Sequence, residues 1–259
     1  MNYTCAMKLA DFSNTLSTLL DIERYTGADV SLNGLQVSRS CQEIKKVAFA
    51  VDASLATIKE AAKQKADVFF THHGLFWGHA LAITGRHYDR VKALLDNDLA
   101  LFACHLPLDA NMEFGNNAQM GKVLELKNME PFSIFRGVYV GVKGDLPKPM
   151  KADEIIKKLG VRRNNTQFFI NGDDKLFRTA GIVSGEGASD VYQAMDENLD
   201  VLITGESQYS TVNDCLEDGM SMMCLGHYET ETFGVKAVME YVKANMGIET
   251  CFVDMPLGL

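Results

Sequence analysis

Between residues 46 and 71 the chain reads "KVAFAVDASLATIKEAAKQKADVFFT". The apolar run Val47–Val51 predicts a buried strand, and Asp52 or Ser54 can cap a following helix. That helix carries Leu55, Ile58 and Ala62 at spacings of three and four, and Asp67 opens a second strand. Strand, helix and strand in this order predict a right-handed crossover between parallel strands.

Displaced by 133 positions, the pattern returns without a gap as "AGIVSGEGASDVYQAMDENLDVLIT", residues 180–204. Asp67-Val68 matches Asp200-Val201, Ile58 matches Val191, Ala61 matches Ala194 and Thr71 matches Thr204. The shared D-V-x-x-T ending points to duplication rather than to two units that merely obey one hydrophobic pattern. Each copy is followed by an apolar strand and a His-x-x-x-carboxylate: "LFACHLPLD" carries His105 and Asp109, and "MMCLGHYETE" carries His227 and Glu231. The chain is therefore an α/β protein of two duplicate halves, each placing polar groups at strand carboxyl ends, where open α/β sheets bind ligands. The first half is expected over 1–126, completed by the C-terminal strand 247–259. The second is expected over 127–246, with no inserted third domain.

Composition narrows the possibilities. A length of 259 residues suffices for a large core, and 47% hydrophobic against 23% charged residues excludes a disordered chain. A net charge of −9 without a basic cluster argues against nucleic acid as an obligate partner. The start "MNYTCAMKLADFSNTL" has no basic leader before an apolar run, and no stretch reaches the roughly 20 apolar residues of a membrane span. The cysteines at 5, 41, 104, 215, 224 and 251 have no C-x-x-C spacing, so they are expected as reduced thiols in a cytoplasmic protein.

The candidate chemistry gathers in "DVFFTHHGLFWGH", residues 67–79, where three of six histidines fall. His72 and His73 follow a strand, and adjacent side chains on a strand point to opposite faces. They meet at one site only if the backbone turns, which Gly74 allows, or each serves a different metal of a pair. His227 and Glu231 share a helix face at i and i+4, on the first turn of a helix running to about Ala244. Glu229 is out of phase with them and expected in solvent.

Pro107 disfavours helix at Leu106, so Asp109 is expected on a loop. His105 is a ligand, a supporting partner or a buried hydrogen-bonded residue. Glu206 takes the place of His73 in the repeat and can orient a ligand or act as general base. Asn33-Gly34 reads as a tight turn. "SGEG", Ser184–Gly187, offers backbone N–H groups to a phosphate, although Glu186 opposes an anion there. Imidazole with carboxylate suits zinc, manganese, iron or nickel without choosing among them.

Taken together, "SLNGLQV", "FFTHHGLFW", "CHLPLDANMEFGNNAQ", "ITGESQY" and "GHYETE" resemble the Nif-three-like family, whose bacterial members are often labelled GTP cyclohydrolase 1 type 2 homologues. The resemblance runs from about residue 8 to the terminal "FVDMP". It implies two divalent metal ions per chain held by His72, His73, Asp109, His227 and Glu231, with Asp109 or Glu231 bridging them. It also implies intertwined duplicate α/β/α halves with the metal site between them, assembled as a homohexameric ring. Many relatives follow "LDA" with histidine, whereas this chain has Asn111.

The first account of function is a metal-dependent hydrolase acting through activated water, with Glu206 or His105 moving protons. A nucleotide or other heterocycle is the small-molecule substrate suggested by the family label. The second account is a non-catalytic, metal-organised ring that binds a partner protein, with Phe76 and Trp77 as contact residues. The third, a thiol enzyme using Cys104 beside His105, predicts indifference to chelators.

Overall fold

The computed structural model describes residues 7–162, 167–172 and 174–258. The expectations for Cys5 and for the extreme N-terminal segment lie outside the described residues. Two compact units divide the chain: residues up to Leu108 with Val235–Met255, and Asp109–Gly234 with the residues from Pro256 on. This division places 109–126 with the second sheet and most of the last helix with the first.

In the first unit, β1 (Met7–Lys8) pairs with β3 (Glu43–Ile44) as a short ribbon beside α1 (Leu9–Leu19). The main sheet contains β2 (Gly34–Val37), β4 (Lys46–Asp52), β5 (Val68–His73), β6 (Ala100–Ala103) and the C-terminal β13 (Glu249–Phe252). Its order is β13-β4-β5-β6-β2, with the first four strands parallel and β2 antiparallel to β6. Helices α2 (Leu55–Lys63) and α3 (Gly85–Asp96) supply the crossovers. One core cluster joins Ile58 and Ala61 to Phe69, Leu94 and Leu101. Another stacks Phe49, Phe70 and Phe102, with ring centroids 5.2 and 5.6 Å apart, and sets Phe12 of α1 edge-on to Phe102.

The buried stripe of α2 is Thr57, Ile58 and Ala61 rather than Leu55, Ile58 and Ala62. Ser54, not Asp52, caps this helix, and Thr57 closes a reciprocal capping box with it.

The second unit opens with α5 (Asn116–Leu124) and contains β7 (Lys127–Phe135), β8 (Val138–Met150), β9 (Phe168–Ile170), β10 (Phe177–Val183), β11 (Val201–Thr204) and β12 (Ser221–Cys224). Its sheet order is β7-β8-β10-β11-β12-β9, with β10, β11 and β12 parallel and the other neighbours antiparallel. Helices α6 (Ala152–Leu159), α7 (Val191–Asp196) and α8 (Tyr209–Asp218) complete the unit. Its core joins Val142, Ile155, Phe177, Ile182, Ile203 and Met223.

The two strand–helix–strand units share a hydrogen-bonding device as well as a pattern. Asp67 Oδ2 accepts the N–H groups of Lys45 and Lys46 at 2.7 and 3.0 Å. Asp200 Oδ2 does the same for Arg178 and Thr179, at 2.6 and 3.0 Å. In each copy the aspartate before the second strand holds the start of the first, which sets the register of the parallel pair. Each pair then delivers its polar residues at the carboxyl edge of its own sheet.

Candidate metal centre

Within the first unit, His72 and His73 are the last two residues of β5, and their ring centroids lie 4.6 Å apart. The rings approach without a turn between them, because long side chains at a strand end can lean along the strand direction. Gly74 is required for a different reason from the expected one: a Cβ there would lie 2.3 Å from the Gln36 amide nitrogen and 2.6 Å from the Ala103 Cβ. His105, just beyond β6, completes a cluster in which one ligand atom from each of the three histidines lies within 4.8 Å of the others.

Each imidazole is oriented through Nδ1. In His72 it faces the Cys104 carbonyl at 2.9 Å, in His73 the Asp52 carboxylate at 2.9 Å, and in His105 the Asp29 carboxylate at 3.0 Å. A carbonyl or carboxylate oxygen only accepts, so each Nδ1 carries the proton and the lone pair of the neutral ring lies on Nε2. Metal-binding histidines are held in this way. Burial opposes the charge of Asp29, but its bonds to His105, Asn33 and Ser31 outweigh burial and keep its carboxyl below the usual range. Trp77 is partly buried, its ring edge-on to His105 at 5.0 Å and its Nε1 donating to the Gly74 carbonyl. Phe76 is also partly buried and packs edge-on against His87.

The second unit carries the acidic donors. Asp109 lies in a short helix, α4 (Leu106–Ala110), rather than on a loop, because Pro107 occupies its first turn, where a missing N–H is tolerated. Asp109 is buried, and its Oδ1 accepts from Asn116 Nδ2 at 2.9 Å and Ser184 Oγ at 2.8 Å. His227 and Glu231 meet as the i, i+4 spacing predicts, Nε2 to Oε1 at 2.9 Å. The helix is not continuous, however: α9 (His227–Thr230) ends at Glu231, and α10 (Thr232–Met246) follows. Glu206 Oε1 lies 2.6 Å from His227 Nδ1, the orienting position open to it from the repeat. Burial lowers the affinity of His227 for a proton, but Glu231 and Glu206 outweigh it and push its pKa up to about 9.

Three further expectations are corrected. Glu229 is buried and accepts from Arg162 Nε at 2.9 Å. "SGEG" is not a phosphate cradle: Ser184 N donates to Asn117, Gly185 N to Thr230 and Gly187 N to Thr204. Asn33-Gly34 is more than a turn, since Asn33 Oδ1 accepts the His105 N–H at 2.7 Å before Gly34 opens β2. Cys104 is fully buried, which disfavours a thiol nucleophile. Asn111 Oδ1 accepts from the backbone of Glu113 and Phe114, a turn-forming role.

Sequence reasoning missed the roles of Asp29, Asn116, Asn117 and Ser184, which bond to the side chain or, for Asn117, the backbone carbonyl of candidate site residues 7 to 76 positions away. The adjacent asparagines in "GNNAQ" were the available signal for two of them. The three histidines of the first unit form a group able to hold a metal ion, and the second unit supplies Asp109, His227 and Glu231, imidazole and carboxylate donors of the kind that divalent transition metals take.

The family model described as Duf34/NIF3 (NGG1p interacting factor 3) matches residues 7–256. The GTP cyclohydrolase 1 type 2 homolog of Archaeoglobus fulgidus is 40% identical over 253 residues, 98% of this chain and 100% of the relative. That of Deinococcus radiodurans is 39% identical over 231 residues, 89% of this chain and 88% of the relative. TTHA1606 from Thermus thermophilus has a similar structure, with a TM-score of 0.87 at 32% identity over 98% of this chain and 100% of that one. Reduced HcgD from Methanocaldococcus jannaschii gives 0.82 at 28% identity over 96% and 98%.

Proposed function

This chain belongs to the Duf34/NIF3 family, and we propose that it is a metal-dependent hydrolase whose centre holds two divalent ions. His72, His73, Asp109, His227 and Glu231 are the ligands in this reading, and His105 and Glu206 move protons. The substrate is a nucleotide or another heterocycle, and the names of the relatives put GTP first among those to try. The same reading extends to a homohexameric ring in the cytoplasm.

The observation that carries the proposal is the common orientation of four imidazoles. His72, His73, His105 and His227 each turn Nδ1 to an oxygen acceptor. A solvated histidine has no need of such a partner, whereas a ligand or base requires one defined tautomer. When bound, paired divalent ions supply Lewis-acid polarisation of a substrate oxygen and activation of water.

The chain's own residues then have distinct tasks. Asp52 fixes the His73 ring, Glu206 fixes His227, and Asn116 with Ser184 anchors Oδ1 of the Asp109 carboxylate. With Nδ1 given to Asp29, Nε2 is the nitrogen of His105 left to take a proton, in a cluster where one ligand atom each of His72, His73 and His105 lies within 4.8 Å of the others.

Elemental analysis of gently purified protein tests the ligand set. Wild type is expected to carry about two ions per chain, and His72→Ala and Glu231→Ala variants fewer. Equal metal content in all three removes the basis of the assignment. A hydrolysis screen over nucleotides and related heterocycles then tests catalysis: Asp109→Ala should abolish any turnover found while the variant stays folded. Unchanged turnover in this variant defeats the catalytic reading.

A further inference from the structure

We propose that Asp29 is a positioning residue that holds His105 as the Nδ1–H tautomer, with its Nε2 lone pair turned toward His72 and His73. The inference rests on the reading of His105 as a proton carrier in the proposed centre. Asp29 lies outside the duplicated units, between the single helical turn Ile22–Tyr25 and β2. Its side chain is 1% exposed. A carboxylate so deeply buried is costly unless each oxygen is satisfied.

All four of its partners are donors. Oδ1 accepts from Ser31 N at 2.9 Å and faces His105 Nδ1 at 3.0 Å. Oδ2 accepts from Asn33 Nδ2 at 2.8 Å and Leu106 N at 2.9 Å. Asn33 returns to the same histidine, since its Oδ1 accepts the His105 backbone N–H at 2.7 Å. One five-residue segment thus grips both the ring and the main chain of His105. On another side the ring meets the edge-on indole of Trp77. Rotation of the imidazole is blocked, and its proton is assigned by the carboxylate.

A turn-forming aspartate has no need of the imidazole, so the tautomer separates a positioning role from a structural one. Asp29→Asn keeps the shape but replaces one acceptor oxygen with an NH2 group. If that group faces His105, the ring must accept through Nδ1 and carry its proton on Nε2. If it faces Asn33, it opposes two donors, Asn33 Nδ2 and Leu106 N, against only Ser31 N in the first orientation, so the first is the one expected.

The test is long-range ¹H–¹⁵N correlation on ¹⁵N-histidine-labelled, zinc-loaded or chelator-treated protein, whose six histidines are few enough to assign. Wild-type His105 is expected as Nδ1–H. In Asp29→Asn that signal should shift to the Nε2–H pattern, and the emission of Trp77, the chain's one tryptophan, should change with the freed ring. A lower melting temperature with the Nδ1–H tautomer retained overturns the proposal. An Nε2–H tautomer in wild type overturns it even if the variant does not fold. Absence of bound metal from wild type would defeat the proposed function but leave the tautomer result in chelator-treated protein to judge this inference.

Discussion

Replacing Gly185 with alanine perturbs the acidic half of the proposed centre with limited damage to the fold. Gly185 has φ +62°, a left-handed conformation that an L side chain adopts at a cost of about 1–2 kcal/mol. For a chain of this size that corresponds to a fall in melting temperature of roughly 2–8 °C. The added Cβ would lie 2.3 Å from Glu231 Oε1, whereas ordinary contact begins at 3.4 Å. The carboxylate must therefore retreat by about 1 Å, a misplacement that can cost roughly 100-fold, or about 2.8 kcal/mol.

The assay pairs competition against a chromophoric zinc chelator with thermal melts of metal-stripped protein. Zinc affinity is expected to fall about 100-fold while the stripped protein loses only a few degrees. An affinity within about threefold of wild type would refute the assignment of Glu231 as a ligand held in this pose. Gly205→Ala supplies the contrast. Its Cβ would meet backbone, the Gly185 carbonyl at 2.7 Å and His227 Cα at 2.8 Å, so the fold itself must yield. The melt of this variant should drop well below that of Gly185→Ala.

Phe70→Ala removes a fully buried ring packed between Phe49 and Phe102 and should cost about 3–5 kcal/mol; a loss under about 1 kcal/mol in urea titration would contradict the packing described. Ser54→Ala breaks the capping box of α2 and should cost about 1 kcal/mol in the same measurement. Burial lifts the Asp190 carboxyl above its usual value of 3.8, although the Ser133 hydroxyl donates to it. The native state therefore holds this proton more tightly than the unfolded chain, and the penalty grows as pH rises above about 3.8. Asp190→Asn should flatten that decline and be at least as stable as wild type at pH 7; a clear loss of stability there would show the charge to be favourable.

Much of the α/β architecture could be read from the chain because a strand and a helix impose different periods on local residues. Val47–Val51, Ile58 and Ala61 announced the first crossover, and the same spacing from Val191 to Thr204 announced the second. The candidate donors were legible because His72 and His73 close a strand and Asp109, His227 and Glu231 follow strands in His-x-x-x-carboxylate spacing. Two local readings failed where a neighbour distant in sequence intervened. Gly74 is small because Gln36 and Ala103 approach it, and Glu229 is buried with Arg162 as its partner. Pro107 failed for a nearer reason: it fits the first turn of a helix too short to show a period.

Sequence by itself determined the two strand–helix–strand units, the family and the chemical identity of the candidate donor atoms, since these depend on residue type and short-range spacing. Tertiary structure alone decided how those atoms are aimed. The acceptor opposite each Nδ1 comes from another strand or loop, 21 positions away for Asp52 and His73 and 76 for Asp29 and His105. A hydrogen bond acts across about 3 Å of space, and only the folded backbone brings residues so far apart in the chain to that distance.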